Sequence, residues 1–151
     1  MRHFSSLDEM ASATGTTLGP GSWTDIGQSR IDTFAQATGD HQWIHTDPER
    51  AATGPFKGTV AHGFLTLSLL PVLLKELYTV DGVAMAVNYG LDKVRFVTPV
   101  QSSARVRAST VIAEVQHVGD AVQVFFDTTI EVSSSDKPAA VARSIIRYFR
   151  A

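Results

Sequence analysis

The chain has 151 residues, of which 44% are hydrophobic, and this predicts one domain over residues 1–151 with a single substantial core. Its 13 basic and 15 acidic residues give a net charge of -2 without blocks of either sign, which argues against nucleic acid or an anionic membrane as partner. The absence of cysteine excludes disulfides, thiolate metal sites and cysteine nucleophiles, and it favours a cytoplasmic protein.

The first half of the chain carries helical signals. The opening stretch MRHFSSLDEMASATG has no apolar core, so it does not resemble a secretory signal. Ser29 precedes Arg30–Thr38, in which apolar side chains recur at helical spacing. Gly39 follows, and glycine is the residue favoured just after a helix C-terminus. A helix is therefore predicted over Arg30–Thr38.

Two further helices are predicted before the middle of the chain. Asp47 and Pro48 are typical of an N-cap and a first helical position, and they predict a short helix that ends before the TGPFKG stretch. The long apolar segment His62–Tyr78 predicts a helix that is apolar on nearly every side and therefore buried. Its apolar run is shorter than the roughly 20 residues that a membrane-spanning helix needs.

The second half of the chain alternates with the period of a β-strand. In Val122–Val132 the even-numbered residues are apolar or Thr and the odd-numbered ones are mostly polar, with Phe125 as an exception. Such a sheet packed against one long helix is an α+β fold. The other predicted strands are Ala104–Val118, joined to this strand by a turn at Gly119–Asp120, Val141–Phe149, Val83–Tyr89 and Lys93–Val97.

The stretch ATGDHQWIHTDP gathers polar residues between two predicted helices, and three interpretations fit it. A metal site would need three or four converging ligands, and no paired His at helical spacing is present, so we predict no metal. In a purely structural interpretation Asp47 caps a helix, His41 is solvated, and His45 and His62 are hydrogen-bonded packing residues. In an acid/base interpretation Asp40 and His45 hold one water in a crevice. The spacing alone does not choose among them.

The order of these residues resembles a known family. The segments FAQATGDHQWIHTDPERAA and GPFKGTVAHGFLTLSLLP are similar to the MaoC-like dehydratases, which include the (R)-specific enoyl-CoA hydratases, and most closely to the nodulation protein N-like branch. The segment LDKVRFVTPV resembles the strand that follows the central helix in this family, and mainly the first thirty residues lack a clear match. The resemblance implies a hot-dog fold, in which an antiparallel sheet wraps around a long central helix.

The resemblance also implies an activity in fatty acid metabolism. The family adds water reversibly, and with syn geometry, to a trans-2-enoyl thioester, giving an (R)-3-hydroxyacyl-CoA. Asp40 and His45 stand where the family has its catalytic pair. Gln42 stands where many members have Asn, and Trp43 where Pro is common, so we expect a different pocket shape. No cofactor is predicted, because the chain carries no dinucleotide fingerprint.

The remaining site residues follow from what this reaction needs. Gly63 is expected to donate its backbone N–H to the developing enolate oxygen, because a residue without a side chain lets the thioester approach closely. Gln42 and His62 are expected to help bind the substrate, and Lys57 to contact the phosphates of coenzyme A. Apolar side chains farther along the central helix are expected to line a slot for the acyl chain.

Two other functions remain open on the same fold. One is an acyl-CoA thioesterase, and the other is a non-catalytic acyl-binding or assembly subunit. The order of Asp40 before His45 favours hydration, and a subunit that had lost turnover would be expected to have replaced one of them. At least a homodimer is predicted, because one sheet face, expected to include Phe125 and Phe149, and the sheet edges need cover. The family commonly joins the sheets of two copies.

Overall fold

The computed structural model describes residues 1–151. Along the chain the elements are β1 (Arg2–Phe4), α1 (Leu7–Ser12), β2 (Thr17–Leu18), β3 (Thr24–Ile26), α2 (Gln28–Thr38), α3 (Trp43–Thr46), α4 (Pro48–Ala52), α5 (Gly63–Ser68), α6 (Leu70–Lys75), β4 (Tyr78–Val80), β5 (Val83–Phe96), β6 (Ala104–Val118), β7 (Ala121–Val132) and β8 (Ala140–Arg150). No helix among them combines the length and the apolarity needed to cross a bilayer.

The main sheet is antiparallel and has the strand order β2-β6-β7-β8-β5, with β3 also paired to β6. A separate parallel pair joins β1 to β4. In β7 the residues Val122, Val124 and Phe126 are buried, whereas Asp127 and Thr129 are exposed. This confirms the predicted inner face of the strand, and the outer face is exposed or half-buried from Asp127 onwards. Gln123, predicted on the outer face, is buried at 7% exposure, so the prediction is wrong for this residue.

Helices α5 and α6 follow one another and pack on the inner face of this sheet. Leu65, Leu70 and Leu73 belong to one apolar cluster, which also contains side chains of β6, β7 and β8. Leu74 belongs to a second cluster, formed with α1 and the other ends of the same strands. The predicted α+β hot-dog arrangement, a sheet wrapped around a central helix, is confirmed.

The central helix differs from its prediction in length and in burial. It is interrupted at Leu69 and ends at Lys75, and Tyr78 begins β4 instead. Pro71 explains the interruption, because proline has no N–H to donate to the carbonyl four residues earlier. Phe64 is 70% exposed and Val72 is also exposed, so the prediction of a helix buried on nearly every side is wrong for the single chain.

Two other boundaries were predicted imperfectly. Helix α2 begins at Gln28, two residues before the predicted start, and it ends as predicted at Gly39, whose φ of 77° is left-handed. The two predicted strands Val83–Tyr89 and Lys93–Val97 form one strand, β5, with register shifts near Gly90. The shifts break the period-two pattern locally, and this made one strand look like two.

Strand β5 is a free edge of the main sheet and carries apolar side chains that nothing covers. Met85, Val87, Tyr89 and Leu91 are all exposed. Phe125, which was expected to be part of an exposed apolar face, is only 8% exposed and lies under the Arg143 guanidinium, 5.5 Å from its ring centre. Phe149, also expected there, is half-buried. On the sheet, the uncovered apolar side chains therefore lie mostly on β5 and not at Phe125 or Phe149.

Candidate functional site

Asp40 and His45 lie on the short connection between α2 and α4. The Asp40 carboxylate accepts a hydrogen bond from the Gln42 backbone N–H at 3.3 Å, which turns the chain after Gly39. His45 belongs to the single turn of α3, and its backbone N–H donates to the Gln42 carbonyl at 2.9 Å. The Asp40 side chain is 57% exposed, whereas His45 is 7% exposed. One loop thus presents a solvated carboxylate beside a buried imidazole.

The hydrogen bonds of His45 define its tautomer. Its Nδ1 lies 2.6 Å from the Val60 carbonyl oxygen, and because a carbonyl only accepts, Nδ1 carries the proton. The Val60 N–H donates to the Ile44 carbonyl at 3.0 Å, which holds the two segments together. Burial lowers the pKa of His45, and the bond to Val60 opposes this only in part. The Nε2 of neutral His45 is therefore a free proton acceptor.

His62 lies beneath this pair and touches both members. Its ring stacks on the His45 ring with 3.7 Å between centroids. Its Nε2 donates to the Asp40 backbone carbonyl at 2.9 Å and lies 3.9 Å from the nearer carboxylate oxygen. Its Nδ1 is buried and has no hydrogen-bond partner. His62, which is expected among the substrate-binding residues, thus contacts both the loop at Asp40 and the His45 ring.

The same three residues could be considered as metal ligands, since one donor atom from each of Asp40, His45 and His62 lies within 4.8 Å of the others. The tautomer of His62 argues against this. Its Nε2 must carry the proton, because it donates to the Asp40 backbone carbonyl. Its lone pair is therefore on the buried Nδ1. Two groups remain with free lone pairs, and protein metal sites typically use three or more. A carboxylate and an imidazole of this kind suit one water molecule.

Gly63 is the first residue of α5 and follows His62 directly. Its backbone N–H donates to no group of the protein. A Cβ added at Gly63 would lie 2.9–3.0 Å from the Phe96 ring. The Phe96 ring therefore occupies the space that a side chain at Gly63 would take, and this adds a packing reason for glycine to the expected close approach of a thioester. The free N–H remains available to a ligand.

The other predicted substrate-binding residues lie at the rim. Gln42 is exposed, and its side-chain amide makes no hydrogen bond, so only its backbone organises the loop. Lys57 is exposed on the loop after α4 with a left-handed φ of 60°, and its side chain makes no ion pair. Trp43 lies between the Arg50 guanidinium, 4.4 Å from its ring, and Gly54, where no Cβ would fit. This stack holds the loop that carries Lys57.

Gln28 is a supporting residue that sequence patterns did not indicate. Its Nε2 donates to the His45 backbone carbonyl at 2.7 Å, and its Oε1 accepts from the Thr59 hydroxyl at 2.5 Å. Thr59 precedes Val60, the residue that orients the His45 ring. Gln28 therefore ties together the two segments that hold His45. Its partners are 17 and 31 residues away in the chain, and no local pattern reports contacts at such separations.

A groove runs beside the central helix. One cavity of about 430 Å³ lies between Leu67, Pro71 and Leu74 of the helices and Leu91, Ser144 and Ile146 of β5 and β8. A second cavity of about 260 Å³ shares several of these residues and continues to the hydroxyls of Tyr78 and Tyr148. These two hydroxyls lie 2.5 Å apart, and burial raises the pKa of Tyr78 to about 12. The groove is largely apolar, and its far end is closed by the tyrosine pair.

Comparison with known proteins gives the family. Residues 9–134 match the family described as MaoC like domain. The chain is 54% identical over 149 residues to 3-hydroxyacyl-thioester dehydratase Z of Mycobacterium tuberculosis H37Rv, covering 98% of this chain and 99% of that protein. It is 44% identical over 146 residues to nodulation protein N of Rhizobium leguminosarum bv. viciae, covering 95% of this chain and 91% of that protein.

A solved structure shows the same fold. The (R)-hydratase of A. caviae involved in PHA biosynthesis superposes with a TM-score of 0.70 at 22% identity, covering 88% of this chain and 94% of that one. The expectation that the first thirty residues have no match is wrong, because the family match begins at residue 9. The predicted family and its nodulation protein N-like branch are confirmed. The chain belongs to the MaoC-like dehydratase family.

Proposed function

We propose that the protein is an (R)-specific enoyl-CoA hydratase, a hydro-lyase that interconverts trans-2-enoyl-CoA and (R)-3-hydroxyacyl-CoA. The observation that carries the proposal is the approach of the Asp40 carboxylate to buried His45, with one donor atom of each within 4.8 Å of the other, while the N–H of Gly63, the residue after His62, is unpaired. The 54% identity to a relative named 3-hydroxyacyl-thioester dehydratase supports the same reaction.

In the proposed reaction each group has one role. Asp40, exposed to solvent, orients a water molecule, and His45 Nε2 takes a proton from it. The water oxygen bonds to the β-carbon while the π electrons move towards the thioester oxygen, which accepts a hydrogen bond from the Gly63 N–H. The proton taken from the water then returns to the α-carbon on the same face, which gives syn addition. Asp40 and His45 act as one coupled proton-transfer pair.

The groove beside the central helix is the proposed acyl slot. Leu67 lies four residues after Gly63, and Pro71 and Leu74 follow on the same face at helical spacing. A thioester held at Gly63 would therefore direct its acyl chain along this face towards Tyr78. Lys57 and Gln42, on the exposed loops, are proposed to contact the coenzyme A portion and the entrance.

A thioesterase on the same fold would direct water at the carbonyl carbon and release a thiol. The two reactions separate in one assay with crotonyl-CoA, in which loss of the enoyl absorbance is followed together with thiol release. A hydratase removes the absorbance without releasing thiol. Thiol release at the rate of absorbance loss would establish hydrolysis, and no change in either signal would favour a non-catalytic acyl-binding subunit.

The activity is expected to fall as the pH drops below 6.5, the ordinary pKa of a histidine. Burial lowers the pKa of His45, so in the folded protein the ring stays neutral at pH 6.5 and gains its proton only at lower pH. Measurements of kcat/KM from about pH 5 to pH 8 should show a single acid limb with its midpoint below 6.5. A midpoint above this value would contradict the role of neutral His45 as base.

We also propose that the protein is a homodimer joined through β5. This strand is a free edge with exposed apolar residues, and edges of this kind are normally covered. Changing Val87 and Tyr89 together to Glu should give monomers in sedimentation, because like charges would face each other across a twofold axis. The separated monomer should tolerate the two new carboxylates. Arg147 lies opposite Val87 and over the Tyr89 ring, so its guanidinium can pair with them.

A matched control is Val118→Glu, which changes an exposed apolar residue on β6, a strand that β7 and β8 separate from β5. This variant should keep the assembly of the wild-type protein. Wild-type protein that sediments only as a monomer at micromolar concentration would reject the dimer. Dimers that persist in the Val87 and Tyr89 variant would place the interface elsewhere.

A further inference from the structure

The groove contains a polar group that the proposed reaction does not use. Ser144 lies on the inner face of β8, is only 7% exposed and lines the cavity of about 430 Å³ beside the central helix. Its hydroxyl has no hydrogen-bond partner in the protein. Buried hydroxyls nearly always have a partner, so an orphaned one that borders a cavity indicates that a ligand or a water supplies it.

A second polar group lies near Ser144 on the strand side of the groove. Asn88 of β5 lines the same cavity, is exposed to solvent, and its side-chain amide makes no hydrogen bond within the protein. In the sheet Asn88 is opposite Ile146 and Ser144 is opposite Leu91, with a register shift between Asn88 and Gly90. Both side chains border one cavity, so both are available to a ligand group that enters it.

Ser68 carries a second hydroxyl in this groove, and that hydroxyl is hydrogen-bonded within the protein. It lines the same cavity from the helical side, and its Oγ donates to the Leu65 carbonyl at 2.7 Å. Its hydrogen bond is therefore satisfied within the helix. The buried hydroxyl without a partner is that of Ser144, on the strand side of the groove, and the exposed Asn88 lines the same side.

We propose that Ser144 and Asn88 bind an oxygen-bearing substituent, a hydroxyl or an oxo group, partway along the acyl chain of the substrate. This inference rests on the proposed hydratase function. A plain hydrocarbon chain would fill the groove but leave the Ser144 hydroxyl unpaired, whereas a hydroxyl or oxo group would pair with it. The preferred substrate class is thus an oxygenated enoyl thioester.

Helix geometry gives the position of the substituent. The cavity with Ser144 borders the helix between Leu67 and Leu74, and its centre near Leu70–Pro71 lies about 10–12 Å from Gly63 at a rise of about 1.5 Å per residue. An extended carbon chain, with bonds of about 1.5 Å and angles of about 111°, advances about 1.25 Å per carbon. The oxygen is therefore expected about eight to ten carbons from the thioester.

The experiment compares trans-2-dodecenoyl-CoA with analogues that carry a hydroxyl or an oxo group at carbon 6, 8 or 10. Wild-type protein should give a kcat/KM about tenfold higher for at least one analogue than for the plain chain, the effect of one hydrogen bond to an otherwise unpaired group. Ser144→Ala should remove this preference. Ser68→Ala, the matched control, should keep it, because its hydroxyl is already bonded.

Crotonyl-CoA separates this inference from the proposed function, because its four-carbon chain is too short to reach Ser144. Wild-type protein should hydrate it. If it does, and wild-type protein shows no preference for an oxygenated chain at any position, the orphaned hydroxyl binds only water and the inference is wrong. If crotonyl-CoA is not hydrated, the proposed function fails. Calorimetric binding of saturated dodecanoyl-CoA and its hydroxylated analogues, with and without Ser144→Ala, then decides the inference alone.

Discussion

Replacing Asp40 by Asn or His45 by Gln is expected to lower the turnover of crotonyl-CoA by about 10²–10⁴-fold, the usual contribution of a general acid or base. Each change removes the proton chemistry and keeps the local hydrogen bonds. An Asn at position 40 can still accept from the Gln42 N–H, and a Gln amide at position 45 can still donate to the Val60 carbonyl. Melting temperatures should therefore stay near that of the wild-type protein.

His41→Gln is the matched control for these two variants. His41 lies between the proposed pair, is exposed, and contributes only its backbone carbonyl, which accepts from the Thr46 hydroxyl. Its replacement should leave turnover unchanged. Near wild-type turnover in both the Asp40 and the His45 variants would show that the catalytic groups are other residues.

The sequence predicted well those features that depend on neighbouring residues. The Asp47 side chain caps α4 by accepting from the Arg50 N–H at 3.0 Å, as the Asp-Pro pair indicates. Gly39 ends α2 in a left-handed conformation. The alternation along β7 gave the buried face of the sheet correctly, because burial on one face imposes a period of two. Each of these signals acts over a few residues.

The features that were missed depend on contacts between distant segments. Phe125 was expected to be exposed because it breaks the alternation, and nothing in the sequence shows that the Arg143 side chain covers it from the next strand. The roles of Gln28 and His62 likewise arise from bonds to groups 15 or more residues away. The sequence spacing indicated Asp40 and His45 as a possible acid/base pair. Only the fold shows that the His62 ring stacks on the His45 ring beside them.

The buried end of this site explains why two histidines lie together without both acting on substrate. The Val60 carbonyl fixes the proton of His45 on Nδ1, and the Asp40 carbonyl fixes that of His62 on Nε2. The unprotonated nitrogen of His45 is therefore Nε2, on the side of the exposed Asp40 carboxylate. The unprotonated nitrogen of His62 is Nδ1, which is buried. In the proposed reaction His45 therefore exchanges protons, and His62 holds its ring in place.

The second large effect is expected at Gly63, where loss of the backbone N–H should lower turnover by about 10²–10³-fold, the usual effect of removing one oxyanion donor. A direct substitution does not separate loss of the N–H from a steric clash, since any Cβ at Gly63 meets the Phe96 ring at 2.9–3.0 Å. The test is therefore made in a Phe96→Ala background, which opens this space. In that background Gly63→Ala retains the N–H, and Gly63→Pro removes it.

Proline suits this position in every other respect. Gly63 is the first residue of α5, where proline is favoured because its missing N–H would make no helical bond. The preceding His62 has φ -57° and ψ 138°, the extended conformation that a following proline requires. Melting temperature and turnover of crotonyl-CoA should be measured on the same samples. If the proline and alanine variants melt alike and turn over alike, the Gly63 N–H does not bind the enolate oxygen; if only the proline variant is slow, it does.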